Sequence, residues 1–242
     1  MKKHTYIIVD VETTFTRGET DTVADFGAVI VDRQNRIIDS LGVLVTEESE
    51  KDFHFALGNP KATKDKYQLL LNAGKRSYMT VAEINDWLEM VALKYSPVLT
   101  AYNIGFDMAK CRNTGIYLDR FDQRFCLWGA AKSTICLEPE YADWCAQNMA
   151  YTDSGNLSTK ADYVAQYLDP TLPPEPHTAL EDARDYESII LYRIINCPST
   201  RAQILKPVSY THLRAHETPE HLVWRRLRGK KKGGGGGGGG GG

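Results

Sequence analysis

The chain has 242 residues, 42% of them hydrophobic and 25% charged, with a formal net charge of −2, the make-up of an ordinary soluble globular protein. Its first apolar run, Tyr6 to Val9, is broken by Asp10 and is too short for a signal-peptide core or a membrane span. Five cysteines, an odd count with no C-x-x-C spacing, exclude a disulfide framework or a zinc site and are read as reduced thiols in a cytoplasmic protein.

Three β-runs open the chain. Tyr6–Val11 is continuously apolar between polar residues, as a strand buried on both faces would be. Val23–Val31 and Arg36–Val45 are rich in Val, Ile and Leu, and Asp32 to Asn35 between them predict a hairpin turn. Residues 46–79 are polar and charged, an excursion over one face with a helical patch near Tyr67–Leu71. Thr80 then caps a predicted helix with Val81, Ile84, Trp87, Leu88 and Val91 at helical spacing, and Pro97 stops it. Val98–Tyr102 reads as a strand, Phe106–Asn113 as a short helix ended by Gly115, and Phe121–Leu127 as a further strand. Helices are expected near Glu140–Met149 and Thr159–Leu168. Pro170, Pro173, Pro174 and Pro176 mark a rigid loop, and a last helix runs from about Ala179 to Ile195. Three antiparallel strands followed by alternating strands and helices predict an α/β fold, a mixed central sheet with helices packed on it.

From Pro207 the character changes. PVSYTHLRAHET resembles a translated sequencing adapter, and the three lysines and ten glycines that close the chain resemble a homopolymer drift from A to G. The expected organisation is therefore one domain over 1–206 and a non-native, disordered tail over 207–242. The tail carries seven of the 29 Lys/Arg and two of the 31 Asp/Glu, so residues 1–206 hold 22 basic and 29 acidic groups, a net of −7. An acidic body argues against a wide electrostatic grip on duplex DNA. It suits a small enzyme that concentrates carboxylates at one metal site.

Three groups of residues carry chemistry. Asp10 and Glu12, two apart at the end of an apolar strand, point to one face of it, and two carboxylates crowded there need cations. Asn103-Ile104-Gly105-Phe106-Asp107 follows the fourth strand and places Asp107 at a helix start, where simple capping by Asn103 or Asp107 is the alternative. Thr178 and Glu181 have capping-box spacing, which puts His177 just outside the last helix and Asp182 in its second turn. Residues five apart do not share an α-helical face, so His177 can meet Asp182 only from the loop.

In this order D-x-E, N-x-x-F-D and H-x-A-x-x-D resemble the three motifs of the DEDD exonuclease superfamily in its histidine-bearing (DEDDh) branch, which includes DnaQ-like proofreading subunits, ribonuclease T and oligoribonuclease. The resemblance spans Asp10 to Asp182. It implies a ribonuclease-H-like fold and hydrolysis of nucleoside monophosphates from a 3′ end. Asp10, Glu12, Asp107 and Asp182 would be ligands of two divalent ions, Mg²⁺ or Mn²⁺, which suit an all-oxygen donor set. One ion would activate the attacking water and the other stabilise the leaving 3′ oxygen. His177 would be the general base, since an imidazole titrates near neutrality. Thr13, Thr14, Asn103 and Phe106 would meet the substrate. Phe15 stands where the family often has glycine and either stacks on the terminal base or packs in the core.

The partners implied are single-stranded DNA or RNA 3′ ends, with DNA favoured in a proofreading or end-trimming role, and a DNA polymerase as a further partner. RNA 3′-end trimming and a non-catalytic nucleic-acid-binding module on the same fold are the rivals. No membrane association is expected.

Overall fold

A computed structural model of the chain describes residues 4–14, 21–49 and 64–197. Six strands form one sheet in the order β4-β3-β2-β1-β5-β6. β1 (Thr5–Thr13), β2 (Val23–Asp32) and β3 (Ile37–Val45) are the antiparallel opening, paired Asp10 to Gly27 and Gly27 to Gly42 at its middle. β4 (Ser77–Met79) adds parallel to β3, while β5 (Val98–Ala101) and β6 (Arg124–Cys126) extend the sheet in parallel beyond β1. The mixed sheet expected from the element order is therefore present.

β1 is central, and its period of two divides the core. Ile7, Val9 and Val11 pack with Phe26 and Ile30 against Ile84, Leu88 and Val91 of α3 (Val81–Tyr95) on one face. Tyr6 and Ile8 point the other way, into a cluster with residues of α5 (Leu127–Lys132), α6 (Pro139–Gln147), α7 (Ala161–Leu168) and the C-terminal helix. Asp10 and Glu12 continue that second row. The same alternation that buries the strand on both faces thus delivers two carboxylates toward the last helix.

Helix ends follow the sequence where side chains supply them. Thr80 Oγ1 accepts from the Glu83 N–H and Glu83 returns the bond to the Thr80 N–H, a complete capping box. The hairpin turn 32–35 closes on Asp32, whose carboxylate accepts from the Gln34 and Arg36 N–H groups. Elsewhere the expectations need correction. The polar excursion holds the expected helical patch as α2 (Lys64–Asn72), and in addition α1 (Thr46–Ser49) and β4, a strand of three residues at the edge of the sheet. The strand expected over Phe121–Leu127 shrinks to Arg124–Cys126 because Leu127 already begins α5. α4 spans Ile104–Thr114, two residues earlier than expected.

The last helix is not uniform. It begins as α8 (Ala179–Glu181), widens into a π-helical segment over Asp182–Glu187, and continues as α9 (Ser188–Asn196). Among the described residues no helix is long and apolar enough to cross a membrane.

Candidate active site

The site forms where the end of β1, the start of α4 and the start of the last helix converge, and its geometry begins with a glycine. Gly27 lies opposite Asp10 in the β1–β2 ladder. A Cβ there would stand 2.2 Å from the Ala179 carbonyl carbon and the Leu180 nitrogen, so only glycine lets α8 cross the sheet this closely. Asp25, two residues back on the same strand, accepts the Ala179 N–H at 3.0 Å and satisfies the first helical donor. Arg76 clamps this corner. Its guanidinium meets Asp25 Oδ1 at 3.0 Å and Glu181 Oε2 at 2.5 Å, with the Arg76 and Asp25 side chains fully buried. Thr178 is the residue before the helix, as expected, yet its side chain makes no cap bond to a helical N–H. Asp25 performs that task, and Arg76 engages the Glu181 expected in the capping box.

His177 precedes this helix with φ +54°, a left-handed backbone that a non-glycine residue adopts at a cost of about 1–3 kcal/mol. Its Nδ1 lies 3.7 Å from Glu175 Oε2. Lys66 of α2 donates to the neighbouring Pro176 carbonyl. The strained histidine is thus framed on the proline-rich loop by one carboxylate and one tethered cation.

Glu12, His177 and Asp182 each offer a ligand atom, and these atoms lie within 4.8 Å of one another. Asp107 is buried at the first turn of α4, where its carboxylate accepts its own N–H and the Val11 N–H. That ties it to β1 while Asp107 also takes a free N–H at the helix start, and Asn103 makes no side-chain cap bond. Asp10 completes the group electrostatically. Burial raises its pKa well above the ordinary value, and the charges of Glu187, Asp182, Asp107 and Glu12 raise it further. Burial likewise lifts Glu12 to about 7, with Asp25 and Glu175 adding to the shift and Lys66 opposing it. Asp107 and Asp182 are raised chiefly by burial as well.

These residues fit a divalent cation. Asp182 Oδ1 and Glu187 Oε2 are buried with no hydrogen-bond partner, a costly state for a carboxylate unless a cation takes those oxygens. All donors but His177 are hard oxygens, as magnesium or manganese prefers.

The remaining sequence-predicted residues separate into two places. Thr13 and Thr14 follow Glu12 at a bulged β1 end, where Thr14 Oγ1 is 2.8 Å from Thr22 Oγ1. Phe106 is 43% exposed beside Asp107, with Lys110 Nζ 5.3 Å from its ring centre. Asn103, by contrast, opens onto a cleft of about 610 Å³ lined also by Tyr102, Trp128, Lys160, Glu175 and His177. Phe15 and the segment from 207 onward lie outside the described residues.

Sequence reasoning missed Glu175, Arg76, Lys66 and Glu187. A glutamate two residues from the histidine on a proline-rich loop was a usable signal for Glu175. Arg76 and Lys66 sit in the polar excursion, where nothing distinguishes them from solvated charges.

No family model and no curated protein matches the sequence. Solved structures do match. A full-length 3′-exonuclease aligns at TM-score 0.52 and 16% identity over 81% of this chain and 83% of that one. The nuclease domain of 3′hExo, a DEDDh family member bound to rAMP, aligns at TM-score 0.51 and 14% identity over 80% and 92%. Exonuclease I of E. coli, in complex with an oligonucleotide, aligns at TM-score 0.53 and 16% identity over 83% of this chain and 43% of that one. At these identities the likeness shows the fold, and the chain has the ribonuclease-H-like α/β fold that these 3′-exonuclease structures have.

Proposed function

We propose that the chain is a metal-dependent 3′→5′ exonuclease acting on single-stranded nucleic acid, with DNA as the substrate and RNA as the alternative. The observation that carries this reading is the convergence of Glu12, His177 and Asp182, from a strand, a loop and a helix, on one point within 4.8 Å, with Asp10 and Asp107 beside it. A binding module has no use for so many buried carboxylates, each costly to desolvate.

Asp10, Glu12, Asp107 and Asp182 would hold the cations. Two divalent ions bound there would activate water and stabilise the charge on the departing 3′ oxygen. The chain's own residues do the rest. His177 receives a proton from the attacking water; because Nδ1 faces Glu175, that proton passes to Nε2. The water oxygen bonds to phosphorus, the bond from phosphorus to the 3′ oxygen breaks, and that oxygen takes a proton from solvent water as it leaves. A nucleoside 5′-monophosphate and a strand shorter by one nucleotide result. Phe106 and the cleft beside Asn103 and Trp128 supply aromatic surface of the kind that single strands stack on. Thr13 and Thr14 offer backbone to the terminal nucleotide.

The test uses 5′-labelled single-stranded DNA and RNA of equal sequence, each with Mg²⁺, with EDTA, and with the Asp10→Ala variant. The expected result is a metal-dependent ladder shortening from the 3′ end, absent in the variant, with DNA the faster substrate. Faster RNA cleavage moves the role to RNA trimming. No cleavage of either strand with Mg²⁺ or Mn²⁺ leaves the binding module.

A further inference from the structure

Glu187 is 2% exposed, and its Oε2 oxygen has no hydrogen-bond partner. Five residues separate it from Asp182. On an α-helix that spacing turns the two side chains roughly 140° apart, which is why the sequence offers no reason to group them. The helix is not α-helical here. Ser188 N–H donates to the Ala183 carbonyl, five residues back, so that in this π-helical segment residues five apart stack on one side. The widened turn therefore brings Glu187 round toward the side of Asp182, in a segment that packs against β1.

Its surroundings identify what it faces. The Tyr102 N–H, at the end of β5, hydrogen-bonds the Glu187 carboxylate. Asp10 and Asp107 are its neighbours in charge: among the charged groups acting on Asp10, Glu187 is the strongest, and among those acting on Glu187, Asp107 is. The charges that act most strongly on Asp10 and Glu187 are carboxylates. The carboxylate is thus held by a backbone donor, and Oε2 is buried without a partner among like charges. An ordinary core position gains nothing from such a group, and leucine would fill it more cheaply.

We infer that Glu187 is a fifth carboxylate of the metal centre, offering Oε2 to a divalent cation held there. The inference rests on the metal-dependent reading above and adds to it a ligand outside the three motifs. The π-helical segment has a purpose under this inference. It lets one helix present both Asp182 and Glu187 to the same site, a common setting for such bulges.

The test is a calorimetric titration of the full chain with Mn²⁺, comparing the unaltered protein with Glu187→Gln, and with Glu12→Gln as a control within the proposed site. Glutamine keeps the acceptor for the Tyr102 N–H and removes the charge. A melting curve in EDTA confirms that each variant is folded. The expected result is a loss of roughly 10- to 100-fold in Mn²⁺ affinity for Glu187→Gln. Should that variant not fold, Glu187→Asp, which withdraws the carboxylate by one methylene, is titrated instead and must weaken binding by the same criterion. Affinity unchanged by Glu187→Gln, while Glu12→Gln weakens it, overturns the role of Glu187 and leaves the exonuclease reading standing. No Mn²⁺ binding by the unaltered protein overturns both.

Discussion

Replacing Gly27 by alanine adds one methyl group, and the structure gives the consequence. The new Cβ would lie 2.2 Å from the Ala179 carbonyl carbon and Leu180 nitrogen and 2.4 Å from the Ala179 oxygen, where ordinary contact begins at 3.4 Å. The obstacle is backbone, so no rotamer change relieves it, and α8 must lift off the sheet by more than 1 Å. Overpacking of this kind costs about 1–3 kcal/mol. The lift also stretches the charged hydrogen bond from Ala179 N–H to Asp25, a bond type that contributes about 1.5–3 kcal/mol. A total of about 2.5–6 kcal/mol lowers Tm by roughly 5–24 °C in a domain of this size. His177 and Asp182 move with the helix, and a displacement of about 1 Å costs on the order of 100-fold in kcat. Gly129→Ala is the control. Its Cβ would meet Cys126 Cβ at 3.7 Å and Sγ at 3.9 Å, ordinary contacts on a helix where alanine is favoured by about 0.5–1 kcal/mol. Melting curves and single-stranded DNA cleavage on both variants read the effect. A Gly27→Ala protein with unchanged Tm and full activity would refute the argument that this crossing sets the site.

Arg76→Met leaves Asp25 buried without its partner and is expected to destabilise by about 3–5 kcal/mol, the usual effect of breaking a buried pair; chemical denaturation checks it, and a loss below about 1 kcal/mol contradicts the clamp. In metal-free protein the raised carboxylates hold protons that the unfolded chain has released. Stability should therefore fall as pH rises from the ordinary Glu value of 4.5 through about 7, the folded-state value for Glu12. A Tm in EDTA that declines over this window and is recovered by Mn²⁺ at its upper end is the expected result, and a flat Tm contradicts it. Phe106→Ala removes an exposed ring beside Asp107, and base stacking contributes about 1–3 kcal/mol, so KM on oligonucleotides should rise roughly 5- to 150-fold with Tm unchanged. An unchanged KM removes Phe106 from the substrate path.

What the sequence discloses depends on how local each signal is. The opening meander and α3 are legible because apolar spacing and the Thr80–Glu83 box act within a few residues. β4 is not, because a three-residue edge strand whose first two residues are exposed carries no hydrophobic signature. In the site, Asp10 and Glu12 announce themselves by breaking an apolar strand, and His177 and Asp182 by their place around a helix start. Gly27 was readable in part, since a glycine inside a strand pattern marks close backbone approach. Arg76 was not, because a buried charge is recognised only once Asp25 and Glu181 are seen to enclose it. Glu187 is the clearest case. Its membership of the carboxylate group depends on a π-helical turn, and the residues Asp182–Glu187 read equally well as ordinary α-helix.

The central claim is hydrolysis at a 3′ end by this carboxylate and histidine group, and product analysis in ¹⁸O-water tests it most directly. A single-stranded oligonucleotide is incubated with the full chain and Mn²⁺, and the products are weighed by mass spectrometry. The expected products are nucleoside 5′-monophosphates carrying one ¹⁸O atom and a shortened strand ending in an unlabelled 3′-hydroxyl, with neither formed by Asp182→Asn. An intact oligonucleotide, or a strand retaining phosphate at its 3′ end, would contradict it.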